Sequence, residues 1–157
     1  MYTQTRRFQA ALRAQSTPGV LHVTLPFPPT ANVRWQWGNG KVRKSRRISH
    51  YEVDVAEACM VQLVGIQRPL EPPYAMSLEL IPPEGIVRPD LDNTLKNLED
   101  ALVCAGVLVD DRYIEALSLV YAPAEGQGSV QVHVWTLNLE GPHGDAQDPV
   151  SGGTDVV

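Results

Sequence analysis

The stretch from residue 88 to residue 111, RPDLDNTLKNLEDALVCAGVLVDD, constrains the fold of this chain more than any other and is called the carboxylate block below. Its apolar residues recur at helical spacing, which predicts a helix over about 91–105 that packs one face on a core. That face comprises Leu91, Leu95, Leu98, Leu102 and Ala105. Gly106 stands where a helix C-terminus is expected. The chain therefore contains a core helix with acidic residues at its start and beyond its end.

The segments around this helix alternate apolar and polar residues as β-strands do. Strands are predicted over Val20–Phe27, Tyr74–Ile81, about Tyr113–Ala122 and about Val130–Leu139. The resulting order, β-α-β-α-β-β, predicts a single α+β domain in which a mixed sheet is covered by two main helices.

The other helix of this order is predicted to begin at Ser49, which would cap it, and to run to about Val64. Its apolar positions are expected to face the core. They are Val53, Ala56, Met60, Leu63 and Val64.

The domain is expected to occupy residues 1–140, with an N-terminal extension over 1–19 and a basic loop or irregular hairpin over 30–47. Residues 141–157 contain four glycines, two prolines and no aromatic residue, which predicts a disordered tail. No apolar run approaches the roughly 18 residues of a membrane helix. We therefore expect a cytoplasmic protein with no membrane partner.

Chain length brings Asp111 within reach of the helix start. The helix rises about 21 Å at ~1.5 Å per residue, and six extended residues after Ala105 cover about 20 Å in return. Asp90, Asp92 and Asp111 gathered there would repel one another, and a hard divalent cation, Mg²⁺ or Mn²⁺, would relieve that repulsion. Lys96, one turn above Asp92, would then face a phosphate bound by the metal.

Other interpretations of the same residues remain open. Acidic residues in a first helical turn stabilise the helix by about 0.3–1 kcal/mol without any further role. A calcium-binding EF-hand loop starting at Asp90 fails, because its sixth position is Leu95 rather than glycine and its twelfth is Ala101 rather than glutamate. Residues 90–94 also match the DxDxT of haloacid-dehalogenase-type phosphatases, in which Asp90 would be a nucleophile, although that motif follows a buried strand.

Charge is divided unevenly along the chain. The net charge is -5, yet residues 1–50 hold nine basic residues and no acidic one. Such asymmetry indicates a nucleic-acid surface. The densest part, residues 34–47, is called the basic segment, and its basic and tryptophan residues could follow a phosphate backbone and stack on bases. These residues are Arg34, Trp35, Trp37, Lys41, Arg43, Lys44, Arg46 and Arg47. The alternative is a solvated loop whose tryptophans pack on the core.

The carboxylate block resembles the RusA family of Holliday-junction resolvases. That family has a D-x-D-N-x-x-K helix, then D-A-L-x-x-A-G, then D-D. Upstream, residues 24–32, TLPFPPTAN, are similar to the family's L-P-x-P-P-S/T-x-N segment. The matching residues of the block are Asp90, Asp92, Asn93 and Lys96, then Asp100-Ala101-Leu102, Ala105-Gly106, and Asp110-Asp111.

The resemblance implies a Mg²⁺-dependent endodeoxyribonuclease, with Mn²⁺ as a substitute, that acts as a homodimer and nicks four-way DNA junctions symmetrically. It implies that Asp90, Asp92 and Asp111 bind the metal, that Lys96 is catalytic, and that Asp110 is an accessory residue. The alternative functions are a small Mg²⁺-dependent phosphatase of the DxDxT type and a non-catalytic DNA-binding module.

Overall fold

The computed structural model describes residues 19–30, 35–38 and 40–137. The predicted extension over 1–19 lies outside this part of the chain except for its last residue, and the predicted tail over 141–157 lies outside it entirely. The elements, in order, are β1 (Val20–Pro26), β2 (Trp35–Gly38), β3 (Lys41–Lys44), α1 (Arg46–Gln62), β4 (Tyr74–Ile81), α2 (Leu91–Cys104), a 3₁₀ turn (Asp111–Tyr113), β5 (Ile114–Tyr121) and β6 (Ser129–Thr136).

The main sheet has four strands in the order β1-β6-β4-β5. Strands β4 and β5 run parallel, with α2 as the crossover between them, while β6 pairs antiparallel with β1 and β4. The α+β fold, the mixed sheet and the order of the main elements are confirmed. Between β1 and α1 the chain adds a separate antiparallel hairpin, β2–β3, where a loop or irregular hairpin is predicted.

The core lies between the sheet and the two helices. Strands β1 and β6 bury every second residue, as an antiparallel pair with one packed face does. The central strand β4 buries five residues in succession, from Tyr74 to Leu78. No helix in the described part of the chain is both long and apolar enough to cross a bilayer.

Helix α1 begins earlier than predicted. Ser45, not Ser49, is the N-cap, and its Oγ accepts a hydrogen bond from the amide of Ile48. The predicted buried face is wrong at three of its five positions, because Val53, Met60 and Val64 are 54, 69 and 78% exposed. Its other two residues are Leu63, which is buried, and Ala56, which is half-buried. A competing stripe of the same period faces the core instead and contains the only bulky aromatic side chain of the helix. It comprises Ile48, Tyr51, Val55 and Cys59.

Helix α2 matches its prediction more closely. Leu98 and Leu102 are fully buried, and the helix ends one residue before Ala105. Gly106 has φ +68°, a conformation that favours glycine, and it turns the chain back towards the start of the helix. Leu91 is 43% exposed, so the apolar face begins one turn later than predicted.

Candidate active site

The first turn of α2 presents two exposed carboxylates. Asp90 occupies the N-cap position but its side chain makes no capping hydrogen bond, and Asp92 lies in the first turn. The start of the helix is secured by Thr94 instead, whose hydroxyl donates to the Asp90 carbonyl at 3.1 Å. Capping alone therefore does not account for Asp90.

The backbone just before Asp90 is held by strand β5. The Tyr121 hydroxyl donates to the Pro89 carbonyl at 2.6 Å, and the Arg88 guanidinium lies over the Tyr121 ring at 4.7 Å. Eight residues separate β4 from Asp90, whereas the phosphatase DxDxT follows its strand directly. This spacing disfavours the phosphatase interpretation.

Lys96 lies between two carboxylates from different elements. Its ammonium group donates to Asp111, at the start of the 3₁₀ turn, and lies 3.1 Å from Oδ1 of Asp100 one helical turn further on. These bonds, led by the one to Asp111, raise the pKa of Lys96. The return of the chain after Gly106 thus places Asp111 beside the second turn of α2.

Asp110 has a different role from its neighbour. Its carboxylate accepts hydrogen bonds from the side chain of Arg112 at 2.6 Å and from the amide of Arg112 at 3.0 Å. Those bonds hold the pKa of Asp110 far below its usual range. In this arrangement Asp110 caps the 3₁₀ turn that begins with Asp111.

Two acidic residues that the sequence left without a role stand beside Asp111. Burial raises the pKa of Glu99, and the negative charge of Asp111 raises it further. Asp100 contacts Lys96 directly. A signal for Asp100 was present, because it stands four residues after Lys96 and opens the D-A-L part of the family pattern. Glu99 carried no comparable signal.

The basic segment adjoins the carboxylates from two sides. Lys44 pairs with Glu52 at 2.6 Å, and the two line an open pocket of about 210 Å³ together with Asp100, Asp110 and Asp111. A second pocket joins Arg47 to Pro89, the neighbour of Asp90.

The other predicted DNA-contacting residues follow the hairpin and the start of α1. Lys41, Arg43 and Arg46 are exposed, Trp35 and Trp37 belong to β2, and Arg34 lies outside the described residues.

The carboxylates suit a hard divalent cation by their chemistry, since all the candidate donors are oxygen atoms. The described residues contain no group of three Asp, Glu, His or Cys side chains close enough to hold a metal ion. Asp111 is ion-paired with Lys96 instead. The donors fit a hard cation by their chemistry, but the structure does not bring Asp90, Asp92 and Asp111 together as a ligand group. A cation at Asp111 would have to displace the Lys96 ammonium.

Comparison with known proteins gives a consistent result. Residues 26–134 match the family described as "Endodeoxyribonuclease RusA". The chain is 29% identical over 119 residues to the crossover junction endodeoxyribonuclease rusA of Enterobacteria phage 82, covering 76% of this chain and 97% of the relative. It is 28% identical over 118 residues to the corresponding protein of Escherichia coli strain K12, covering 75% and 96%.

Proposed function

The chain belongs to the RusA family of endodeoxyribonucleases, and from this premise we propose that it cuts phosphodiester bonds at four-way DNA junctions. The observation that carries the proposal is the extent of the match, which includes the basic segment and the whole carboxylate block. The relatives named as crossover junction endodeoxyribonucleases are covered almost completely. The proposal therefore transfers their activity to a chain that covers almost their whole length.

Asp90, Asp92 and Asp111 would hold Mg²⁺, for which Mn²⁺ could substitute. When bound, such an ion supplies Lewis-acid stabilisation of negative charge at the phosphodiester. The two exposed aspartates at the start of α2 would supply oxygen ligands to it, and so would Asp111, which begins the turn that Asp110 caps. The choice of carboxylates over imidazole or thiolate disfavours zinc.

Lys96 would stabilise charge on the phosphoryl or leaving oxygen, because its ammonium stands on the same face of α2 as Asp92. The basic segment would bind the flanking phosphates. A phosphate backbone attracts lysine and arginine whatever its base sequence, as recognition of junction shape requires.

A homodimer completes the proposal. Resolving a four-way junction takes two opposed cuts, and a two-fold dimer supplies two sites with that symmetry. Sedimentation equilibrium of the full chain, alone and with a junction, measures the stoichiometry. A strictly monomeric protein that still makes paired cuts would contradict the dimer and leave the nuclease assignment standing.

Cleavage of a synthetic four-way junction with end-labelled arms, after chelation and after return of Mg²⁺, tests the function. We expect paired nicks only with the cation, and little cutting of a linear duplex of the same sequence. Binding without cleavage under all metals would favour the non-catalytic DNA-binding module. Hydrolysis of a small phosphate monoester in place of the junction would favour the phosphatase.

A further inference from the structure

Lys96 has two acceptors, and they differ in how they can move. Asp100 stands on the same helix one turn away, so its separation from Lys96 is set by α2 itself. Asp111 belongs to a different element, the 3₁₀ turn that follows residues 105–110. The side chain of Asp100 is 22% exposed, that of Asp111 28%, and that of Lys96 49%.

This arrangement creates a competition, given the proposed function. Asp111 is assigned to the cation, yet in this structure it holds the Lys96 ammonium. Two positive charges on one carboxylate repel each other, so a cation binds Asp111 best when the ammonium has another acceptor. Asp110 is not available for this, because Arg112 occupies both of its oxygens.

We propose that Asp100 is a positioning residue that retains the Lys96 ammonium when Asp111 turns to the metal. Asp100 keeps the Lys96 ammonium at the edge of the site after Lys96 has released the Asp111 carboxylate. Without Asp100, Lys96 stays on Asp111 and competes with the cation. The inference rests on the proposed function, and it gives a role to the first residue of the D-A-L pattern.

The test measures Mn²⁺ binding to the full-length protein, free and in complex with a four-way junction, from the electron paramagnetic resonance signal of unbound Mn²⁺. Asp100→Asn should weaken Mn²⁺ binding about 10-fold, the lower end of the range for residues that orient metal ligands. Asp100→Glu should restore most of the affinity. Asp100→Ser serves as a second variant if the buried amide of Asp100→Asn disturbs folding, which circular dichroism detects.

A matched control removes the same charge one residue away. Glu99 is near Asp111 and its charge interacts with Lys96, but it makes no ion pair with Lys96 in the described contacts. Glu99→Gln therefore removes a nearby charge without removing an acceptor of the ammonium, and it should change Mn²⁺ affinity by about twofold or less. A double-mutant cycle then tests whether Asp100 affects Mn²⁺ binding through Lys96. In a Lys96→Met background the competitor is gone, and Asp100→Asn should have no more effect than Glu99→Gln.

Two outcomes overturn the inference. One is an Asp100→Asn affinity no weaker than that of Glu99→Gln, and the other is a full 10-fold loss that persists in the Lys96→Met background. Either result leaves the nuclease assignment intact if the wild-type protein cleaves junctions with Mg²⁺. A wild-type protein that neither binds Mn²⁺ nor cleaves would overturn the proposed function together with this inference.

Discussion

Aspartates of one sequence block have three different surroundings in the folded chain. Asp90 stands exposed at a helix start without capping it, Asp110 is bound by Arg112, and Asp111 is bound by Lys96. The chemistry of each carboxylate is therefore set by its partner rather than by its residue type. The proposed metal ligands are therefore the two exposed carboxylates at the helix start together with Asp111, which would have to leave Lys96.

Replacement of Asp92 by asparagine tests this difference at the residue scale. We expect junction cleavage to fall at least about 100-fold, because a neutral amide is a poor ligand for a hard cation and stabilises less charge. Junction binding in a gel-shift assay should be kept or become slightly tighter, since one negative charge is removed. Asp54→Asn, an exposed aspartate on α1, should cleave at the normal rate. If Asp92→Asn cleaves junctions at the wild-type rate, the assignment of Asp92 to the active site is wrong.

At the scale of elements, one tyrosine joins three segments. The Tyr74 hydroxyl, at the start of β4, donates to the Leu70 carbonyl at 2.9 Å and accepts from the Val109 amide at 3.1 Å. Val109 immediately precedes Asp110 and Asp111. The return path of the chain after α2 is thus anchored to the central strand two residues before the site.

Two tyrosine-to-phenylalanine variants form a matched pair. Tyr74→Phe should lower the free energy of unfolding by about 1–3 kcal/mol, because it removes two part-buried hydrogen bonds that each contribute about 0.5–1.5 kcal/mol. Tyr51→Phe should be neutral or stabilising, because its buried hydroxyl has no hydrogen-bond partner in the described residues. Urea unfolding of both variants measures the difference. Equal destabilisation would show that the Tyr74 bonds contribute nothing specific.

The sheet also carries a pH-dependent element. His22 on β1 and His133 on β6 are opposite each other, with ring centroids 4.3 Å apart. Burial lowers the pKa of His133, and the neighbouring His22 lowers it further. The unfolded chain therefore binds a proton at His133 more readily than the folded chain does.

Stability should accordingly fall as the medium is acidified. The contribution of His133 to the free energy of unfolding is complete above the pKa of about 6.5 that histidine has in the unfolded chain. This contribution is lost as the pH falls through the lower pKa of His133 in the folded chain. Urea unfolding between pH 7.5 and pH 5 should show this loss, and His133→Gln should reduce it. His22→Gln should reduce it less, because burial is the larger cause of the shift. If the free energy of unfolding changes with pH equally in wild type and His133→Gln, His133 is not the cause of the acid destabilisation.

At the scale of the whole molecule, the structure places opposite charges side by side. Lys44, at the end of β3, lines one pocket with Asp100 and Asp111. Arg47, at the start of α1, lines another with Pro89. A net charge of -5 therefore does not exclude the DNA-binding surface proposed above. Asp111, one of the residues proposed for the metal, lines the same pocket as Lys44, and a bound metal would reduce its repulsion of a phosphate.

The basic segment should account for much of the salt dependence of binding. Replacing Arg43, Arg46 and Arg47 by glutamine should reduce the slope of log affinity against log salt by about 2 to 3, since each phosphate contact contributes about 0.9. Lys44 is left in place because it pairs with Glu52. Arg68→Gln, beyond the far end of α1, should leave the slope unchanged. A slope that stays the same in the triple variant would exclude the segment as the DNA contact.

What the sequence determined was local or periodic. The 3.6-residue spacing of leucines located α2, Gly106 located its end, and alternation located the strands, because each signal depends only on neighbouring residues. The spacing of four residues likewise predicted the metal site and supported the family resemblance. They are Asp90, Asp92, Lys96 and Asp111. For α1, two apolar stripes competed, and the sequence alone favoured the wrong one.

What only the tertiary structure decided were the contacts between distant segments. The sheet that α1 packs on selected the stripe of Tyr51, Val55 and Cys59, because burial depends on the opposing surface. The partners of the carboxylates were decided in the same way: Arg112 at Asp110, and Lys96 shared between Asp100 and Asp111. A sequence shows which groups can form ion pairs, but the pairs that form depend on distances of a few ångströms that only the packed chain establishes.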